Sequence, residues 1–430
     1  MKILLSEAPE QTAAPVSVGG GEDKSPSLIG GAMIIAGTAI GAGMFSLPVV
    51  ASGMWFNWSV ICLILTFFFM YHSGLMILET NLNYPVGSSF DTITKDTLGP
   101  VWNLINGLSI VFVLYVLTYA YISAGSSIIN QTLESTLGIV APPKISGLIF
   151  SFSLAFVVWL STKTVDRITT ILLGAMVVTF FMYAGNITSN LKSALLFDRE
   201  GAGVQYFPFI FAALPFFVAS FGFHANVPSL MKYYGKEPIK IRKCLLYGSL
   251  LPLVIYLLWQ ASVFGSISRQ AFIEIIDQGG NVGVLVNAMG SAAEGQFTHT
   301  LLNVFSNFAV TSSFLGVSLG LFDYIADKYK FSDSGLGRLK TAAVTFIPPT
   351  IGGVLYPGGF IYAIGFAGLA GAIWGIIVPA LMVKSSRERS GSTMYRVWGG
   401  NGLVYAVLLF GIVTAACHLL GFFNLLPIYG

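Results

Sequence analysis

The stretch from Gly37 to Pro48 reads GTAIGAGMFSLP and lies inside an apolar run that begins at Leu28. Gly37, Gly41 and Gly43 free the backbone there, and Pro48 lacks an amide donor. In hydrocarbon, a broken backbone survives only where it is buried in protein or lines a cavity. A glycine-interrupted first helix is therefore the kind of element from which secondary transporters build a binding site. Close helix packing through small residues is the competing explanation for such glycines taken alone.

The rest of the chain puts that helix in a membrane. Of 430 residues, 55% are hydrophobic and only 10% charged, against about 25% charged in soluble domains. The net charge of +3 does not signal a nucleic-acid partner, because topology dictates where the cations lie. Cys62, Cys244 and Cys417 are far apart and have no metal-ligand spacing, and His72, His224, His299 and His418 show none either. The polar first 27 residues show no cleavable signal and read as a disordered cytoplasmic tail.

Eleven segments are long enough to cross about 30 Å of hydrocarbon at about 1.5 Å per residue. They are 28–53, 56–81, 101–129, 145–162, 167–188, 206–231, 243–265, 299–324, 338–356, 359–383 and 402–424. With the N-terminus inside, 18 of the 22 lysines and arginines fall on the cytoplasmic side. Only Lys144, Lys192, Arg199 and Arg269 fall outside, and the C-terminus is then external. Losing one span would reverse every later loop and spoil this bias. The expected class is an all-α, multi-pass inner-membrane protein in contact with lipid. The segment 266–298 is the longest external connection, with two short amphipathic stretches around Gly279-Gly280. It reads equally as a lid or as a pair of solvated surface helices.

The sixth span repeats the anomaly of the first. It reads SFGFHANVPSL from Ser220 to Leu230, with Gly222, His224, Asn226 and Pro228 interrupting an apolar run. Five intervening crossings reverse its direction relative to the first span. Two interrupted helices in corresponding, inverted positions mark an inverted-repeat site. Such breaks leave unpaired N–H groups at the start of one half-helix, which suit a carboxylate. They also leave unpaired carbonyls at the end of the other half, which suit an ammonium or a metal cation. The expected cargo is therefore zwitterionic.

At this point the motifs are recognisable. GTAIGAGMFSLPVV, HSGLMILETNLNYPVGSSFDTITKD, VLTYAYISA, ASFGFHANVPSLMKYYGK and FSNFAVTSSFLGVSLGLFDYIAD together resemble the hydroxy/aromatic amino acid permease family. The resemblance runs from about Ser27 to Pro427 and is strongest to the bacterial tryptophan permeases, with the tyrosine permeases next. It places the chain in the amino acid–polyamine–organocation superfamily, similar in fold to the bacterial leucine transporter. That implies a five-plus-five inverted repeat, helices 1–5 in 28–188 and helices 6–10 in 206–383, with helices 1 and 6 broken and an extra helix at 402–424. It also implies cation-coupled import of an amino acid.

The same resemblance implies that the substrate carboxylate meets the amides of Gly41, Ala42 and Gly43. The amino group would meet carbonyls of Ala39 and of Ser220, Phe221 or His224. An indole needs an apolar, aromatic-lined pocket with few polar points. Tyr115 and Tyr119, four apart on one helical face, are candidates, while Tyr121 faces elsewhere. Phe221 and Phe223 flank the second break, and His224, with Asn226 beside it, offers a partner for the indole N–H. Ordinary packing is the competing role for each aromatic, and a bond within the broken helix for His224.

For the coupling ion, Ala309-Val310-Thr311-Ser312-Ser313 matches the Ala-x-x-Thr/Ser-Ser pattern of sodium-coupled members. Gly37, Ile40, Ala309, Ser312 and Ser313 would then supply five uncharged oxygens to Na⁺. Against this, serines commonly bond back to their own helix. Proton-coupled relatives place a lysine in the fifth span, where this chain has Met176. Both Na⁺ and H⁺ remain open as the driving ion, with no other cofactor expected. The proton candidates are His72 and Glu79, seven apart on the second span. Glu79 reads as structural first and as a relay second, because it lies near the cytoplasmic end. Asp323 is placed to pair with a basic loop as part of a gate. No GxSxG, HExxH or paired intramembrane carboxylates suggest an enzyme. A tyrosine or a hydroxy amino acid is the alternative substrate, and a receptor or channel the alternative class.

Overall fold

The computed structural model describes residues 27–188, 191–199, 201, 204–292, 295–389 and 394–430. The expected cytoplasmic tail falls outside these residues, except for Ser27. The described chain is helical, with no strand assigned among the described residues. In chain order the helices are α1 (Leu28–Ala39), α2 (Ser46–Ala51), α3 (Trp55–Asn81), α4 (Phe90–Leu98), α5 (Pro100–Leu137) and α6 (Pro143–Leu160). There follow α7 (Thr162–Thr188), α8 (Ser193–Leu196), α9 (Ile210–Ser220), α10 (Val227–Tyr234), α11 (Pro238–Phe264) and α12 (Ala271–Asp277). The chain closes with α13 (Val282–Ala292), α14 (Gln296–Tyr329), α15 (Gly335–Leu355), α16 (Phe360–Ala372), α17 (Val378–Arg389) and α18 (Gly400–Phe422).

Among the described residues nine helical segments are long and apolar enough to cross a membrane, and ten when the bent pair of α1 and 42–51 counts as one. The helix in the ninth expected position, α15, has 21 residues but falls short in apolarity. Its sequence explains this, since Arg338, Lys340 and the pair Pro348-Pro349 interrupt an otherwise apolar stretch. The exposed side chains of the long helices, such as Ile64, Leu108, Phe152, Ile171 and Leu409, are apolar. An outer surface of that kind suits lipid rather than water.

Both interruptions expected from the sequence are present. Helix α1 stops at Ala39, Gly41 is fully extended at φ −168° and ψ −167°, and a short 3₁₀ turn over Ala42–Phe45 leads into α2. The two halves meet at 48°. Pro48 costs no helical bond, because it lies in the first turn of α2. In the second interruption α9 ends at Ser220 and α10 begins at Val227 after a turn over His224–Asn226. Pro228 occupies the opening turn of α10, where its missing amide is again free of cost. This break is gentler, and residues 207–234 run as a single span of 28 residues.

The core gathers around the interruptions. Helix α1 packs along α11, α14 along α7 and α5, and α9 along α16. Phe45, Trp259 and Phe305 pack ring to ring, with centroids 5.3 to 5.8 Å apart. Segment 266–298 is not a solvated helix pair. Phe272, Ile275, Val282, Leu285, Val286 and Met289 are buried, and Gly280 lies close against Val49 of α2. Gly279 and Gly280 turn the chain with φ of +90° and +60°, a region that favours glycine. Arg269 locks the segment down: it donates to the carbonyls of Ser52 and Gly53, at 3.2 and 3.0 Å, and lies over the Tyr429 ring.

Candidate functional site

The first break is assembled from groups that have left the helical ladder. The Ala42 amide, at the head of the 3₁₀ turn, donates to Ser313 Oγ of α14 at 2.8 Å. Gly41 has no room for a side chain while Ser313 keeps this position, since a Cβ there would come within 2.6 Å of the same oxygen. Ser46 Oγ returns to the Gly43 carbonyl at 2.7 Å, and the Met44 carbonyl accepts Trp259 Nε1 at 3.1 Å. Gly43 lies beside Ser220, the last residue of α9, so the two breaks are neighbours.

The carbonyls that end the two first halves converge on one side chain. Tyr256 of α11 is fully buried, and its hydroxyl oxygen lies 2.6 Å from the Ala39 carbonyl and 2.7 Å from the Ser220 carbonyl. These oxygens are the negative ends of α1 and α9. They are also two of the carbonyls expected to take the substrate amino group. The breaks are joined a second time at Asn226, whose Nδ2 donates to Thr38 Oγ1 at 2.5 Å.

Tyr256, which sequence reasoning did not name, reaches the breaks, and the third-span tyrosines do not. Tyr115 donates to the Val344 carbonyl at 2.9 Å and Tyr119 to the Tyr356 carbonyl at 2.8 Å. Both are thus turned to α15 and the turn after it, not to the breaks. Tyr121, read as facing elsewhere, is the buried one. A signal for the missed residue existed: Tyr256 and Gln260, four apart, are the polar pair on the apolar second half of the seventh span.

The remaining candidates sort by their partners. Phe221 is buried against Tyr256, ring centroids 5.3 Å apart, and so lines the junction. Phe223 stacks on His224 at 4.6 Å and closes on Gly74 of α3. His224 is buried and turns away from the junction: Nε2 meets the Met70 carbonyl at 3.2 Å, and its ring lies near Trp374. Its Nδ1 has no partner among the described residues. Of the five oxygens expected for a cation, Ser312 Oγ bonds back to Ala309 O at 3.2 Å, and Ser313 Oγ already accepts the Ala42 amide. Gly37 and Ile40 flank the end of α1, and Met176 is buried in α7, which packs along α14.

Glu79 is fully buried and fully used. Arg387 donates to it from Nε at 2.6 Å and Nη2 at 2.8 Å, and the Val397 amide donates at 2.7 Å. Tyr395 lies nearby, outside the spans, its hydroxyl pushed up to about 12 by burial and then by Tyr71, against the pull of Arg242. His72 does not share the Glu79 setting. It is half-exposed, and its Nδ1 lies 2.7 Å from the Phe68 carbonyl of its own helix. The expected gate pairing of Asp323 is not formed, as it makes no ion pair among the described residues. The nearby Arg338 instead bonds Asp333 at 2.8 Å and the carbonyls of Val158 and Trp159.

A groove of about 720 Å³ lies elsewhere, between α6 and α15. Its walls, including Phe152, Phe156, Phe346 and Ile351, are almost wholly apolar. A zwitterion finds few polar groups there, so the junction of the breaks is the better site.

Comparison with known proteins gives a consistent picture. The model of the tryptophan/tyrosine permease family matches residues 24–418. A tryptophan-specific transport protein of Pseudomonas aeruginosa is 55% identical over 99% of this chain and 100% of its own. A protein of the same description from Shigella flexneri is 56% identical over 94% of this chain and 98% of its own. A tyrosine permease of Enterobacter agglomerans is 42% identical over 94% and 98%.

Proposed function

The chain belongs to the tryptophan/tyrosine permease family, a family of transport proteins and not enzymes, and from that premise we propose that it imports tryptophan across the bacterial inner membrane by alternating access. The observation that carries the reading is the convergence of two interrupted helices on one point, where the ends of α1 and α9 present their last carbonyls to a shared hydroxyl. Carbonyls of this kind attract an ammonium, and the amides of Gly41 and Gly43, on either side of the Ala42 amide that Ser313 Oγ takes, attract a carboxylate, with the positive end of a half-helix behind them. Phe221 gives the junction an apolar wall suited to an indole.

In this reading eleven helices cross the membrane, with α15 as the ninth crossing, arranged as two inverted sets of five plus α18. The N-terminus is cytoplasmic and the C-terminus periplasmic, which the distribution of lysine and arginine supports. Transport is a symport. The cation is Na⁺, held by Gly37, Ile40, Ala309, Ser312 and Ser313. Two features support that assignment: the contact between the first break and Ser313, and the absence of a lysine in the fifth span. A hydroxyl that accepts one hydrogen bond retains a lone pair for a cation.

Tyrosine is the second reading, favoured by the 42% identity to a tyrosine permease. Proteoliposomes loaded with a panel of unlabelled amino acids and given external labelled tryptophan decide between them. Tryptophan is expected to drive the strongest counterflow. Stronger counterflow with tyrosine or serine refutes the tryptophan assignment. Uptake unchanged when choline replaces sodium refutes the sodium assignment alone.

A further inference from the structure

Tyr256 offers a single hydroxyl proton to two buried carbonyls, Ala39 at 2.6 Å and Ser220 at 2.7 Å. A phenol has one donor, so the junction is short of donors by one. Both carbonyls end a helix, and neither finds a partner within its own helix. An ammonium brings three donors to the same place. It can satisfy both carbonyls with no help from the tyrosine. The hydroxyl is therefore dispensable when substrate is present and indispensable when it is absent.

We propose that Tyr256 stands in for the substrate's ammonium in the empty carrier and so permits the substrate-free closed state through which a symporter must return. The inference rests on the amino acid import reading above and deepens it. Without the hydroxyl, closing the empty junction would bury two carbonyls with no donor, whereas closing the loaded junction would bury none. The ring stays anchored either way, packed edge-on against Phe221, and α11 stays tied to the first break through Trp259 and the Met44 carbonyl. A symporter uses the empty return in net uptake but not in exchange, where substrate is carried in both directions. Tyr256 is thus a positioning residue whose loss separates two transport modes.

The test is Tyr256→Phe in proteoliposomes, read as net uptake into empty vesicles and as exchange into vesicles preloaded with the same amino acid. Net uptake is expected to fall by roughly tenfold or more, the penalty of leaving a buried acceptor unpaired, while exchange stays within about twofold of wild type. A parallel fall in both modes, a larger fall in exchange, or no change in either overturns the proposal. Tyr256→His, which keeps an N–H donor in the junction, is expected to show net uptake between wild type and the phenylalanine variant with exchange retained. That variant carries the test if the phenylalanine chain does not fold, and loss of both modes in it overturns the proposal too. The reading beneath stands or falls on the wild type. Tyrosine transport in place of tryptophan changes the substrate but leaves the split measurable, and no transport of any α-amino acid refutes both.

Discussion

Ser313 and Gly41 act on each other through one oxygen. Ser313 Oγ accepts the Ala42 amide at 2.8 Å, and an added Cβ on Gly41 would come within 2.6 Å of that same oxygen while keeping 3.6 Å from the Ser313 Cβ. Gly41→Ala is therefore accommodated only if the serine rotates away and gives up the Ala42 bond. Ser313→Ala gives up the same bond directly. Each single change is expected to weaken tryptophan binding by about 1–2 kcal/mol, the worth of one partly buried hydrogen bond. The double variant is expected to cost no more than either alone, because the bond is lost once and the Cβ atoms fit. Binding measured by isothermal calorimetry on the four proteins checks this. Additive losses would mean that glycine serves some purpose other than making room for the serine oxygen.

At the scale of elements, the C-terminal ends of α3 and α17 are held by one charged clamp. Glu79 and Arg387 are both buried, and the carboxylate also takes the Val397 amide, so the loop before α18 is tied to the same point. Removing one partner strands the other charge, which typically costs about 3–5 kcal/mol. Glu79→Gln is expected to lower thermal stability by a shift of that size, with uptake per folded molecule unchanged between pH 5.5 and 8. The pair Glu79→Gln with Arg387→Met is expected to regain much of the loss. A pH profile that flattens in Glu79→Gln would instead assign the carboxylate to proton transfer. The clamp also shows what the sequence made legible. A carboxylate near the end of the second span reads as structural from position alone, but its partner, 308 residues away, does not. The breaks were readable because glycine and proline act on the backbone at their own positions. The direction of a side chain around a buried helix is another matter. In α5 most turns are apolar on every face, so Tyr115 and Tyr119 share a face without any indication of which neighbour it meets. Tyr256 stands out as a polar group in its span, but its two carbonyl partners are visible only once α1, α9 and α11 converge.

Over the whole molecule, the argument turns on the number of crossings. Ten spans pass on length and apolarity among the described residues, and α15 is the one in question. Its charges lie at one end, where Arg338 is held by the carbonyls of Val158 and Trp159 and by Asp333, and lies over the Phe322 ring. A cation satisfied in this way at a helix terminus is a common anchor at the membrane interface, and it leaves the remaining apolar turns free to cross. With the N-terminus inside, 266–298 is periplasmic and 331–334 cytoplasmic whether or not α15 crosses. If it does not, the loops that follow it exchange sides, and the arginines near 387 and 396 face outward against the charge bias. Cys62, Cys244 and Cys417 are buried, so a cysteine added on the surface is expected to dominate labelling. Ser332→Cys and Gln270→Cys lie at exposed sites before α15, and Met394→Cys at an exposed site after it. In intact cells a membrane-impermeant maleimide is expected to label Gln270→Cys alone, and in inverted vesicles Ser332→Cys and Met394→Cys. Labelling of Met394→Cys from outside, with Ser332→Cys still inside, would remove α15 from the count, and with it the paired sets of five on which the inverted repeat depends.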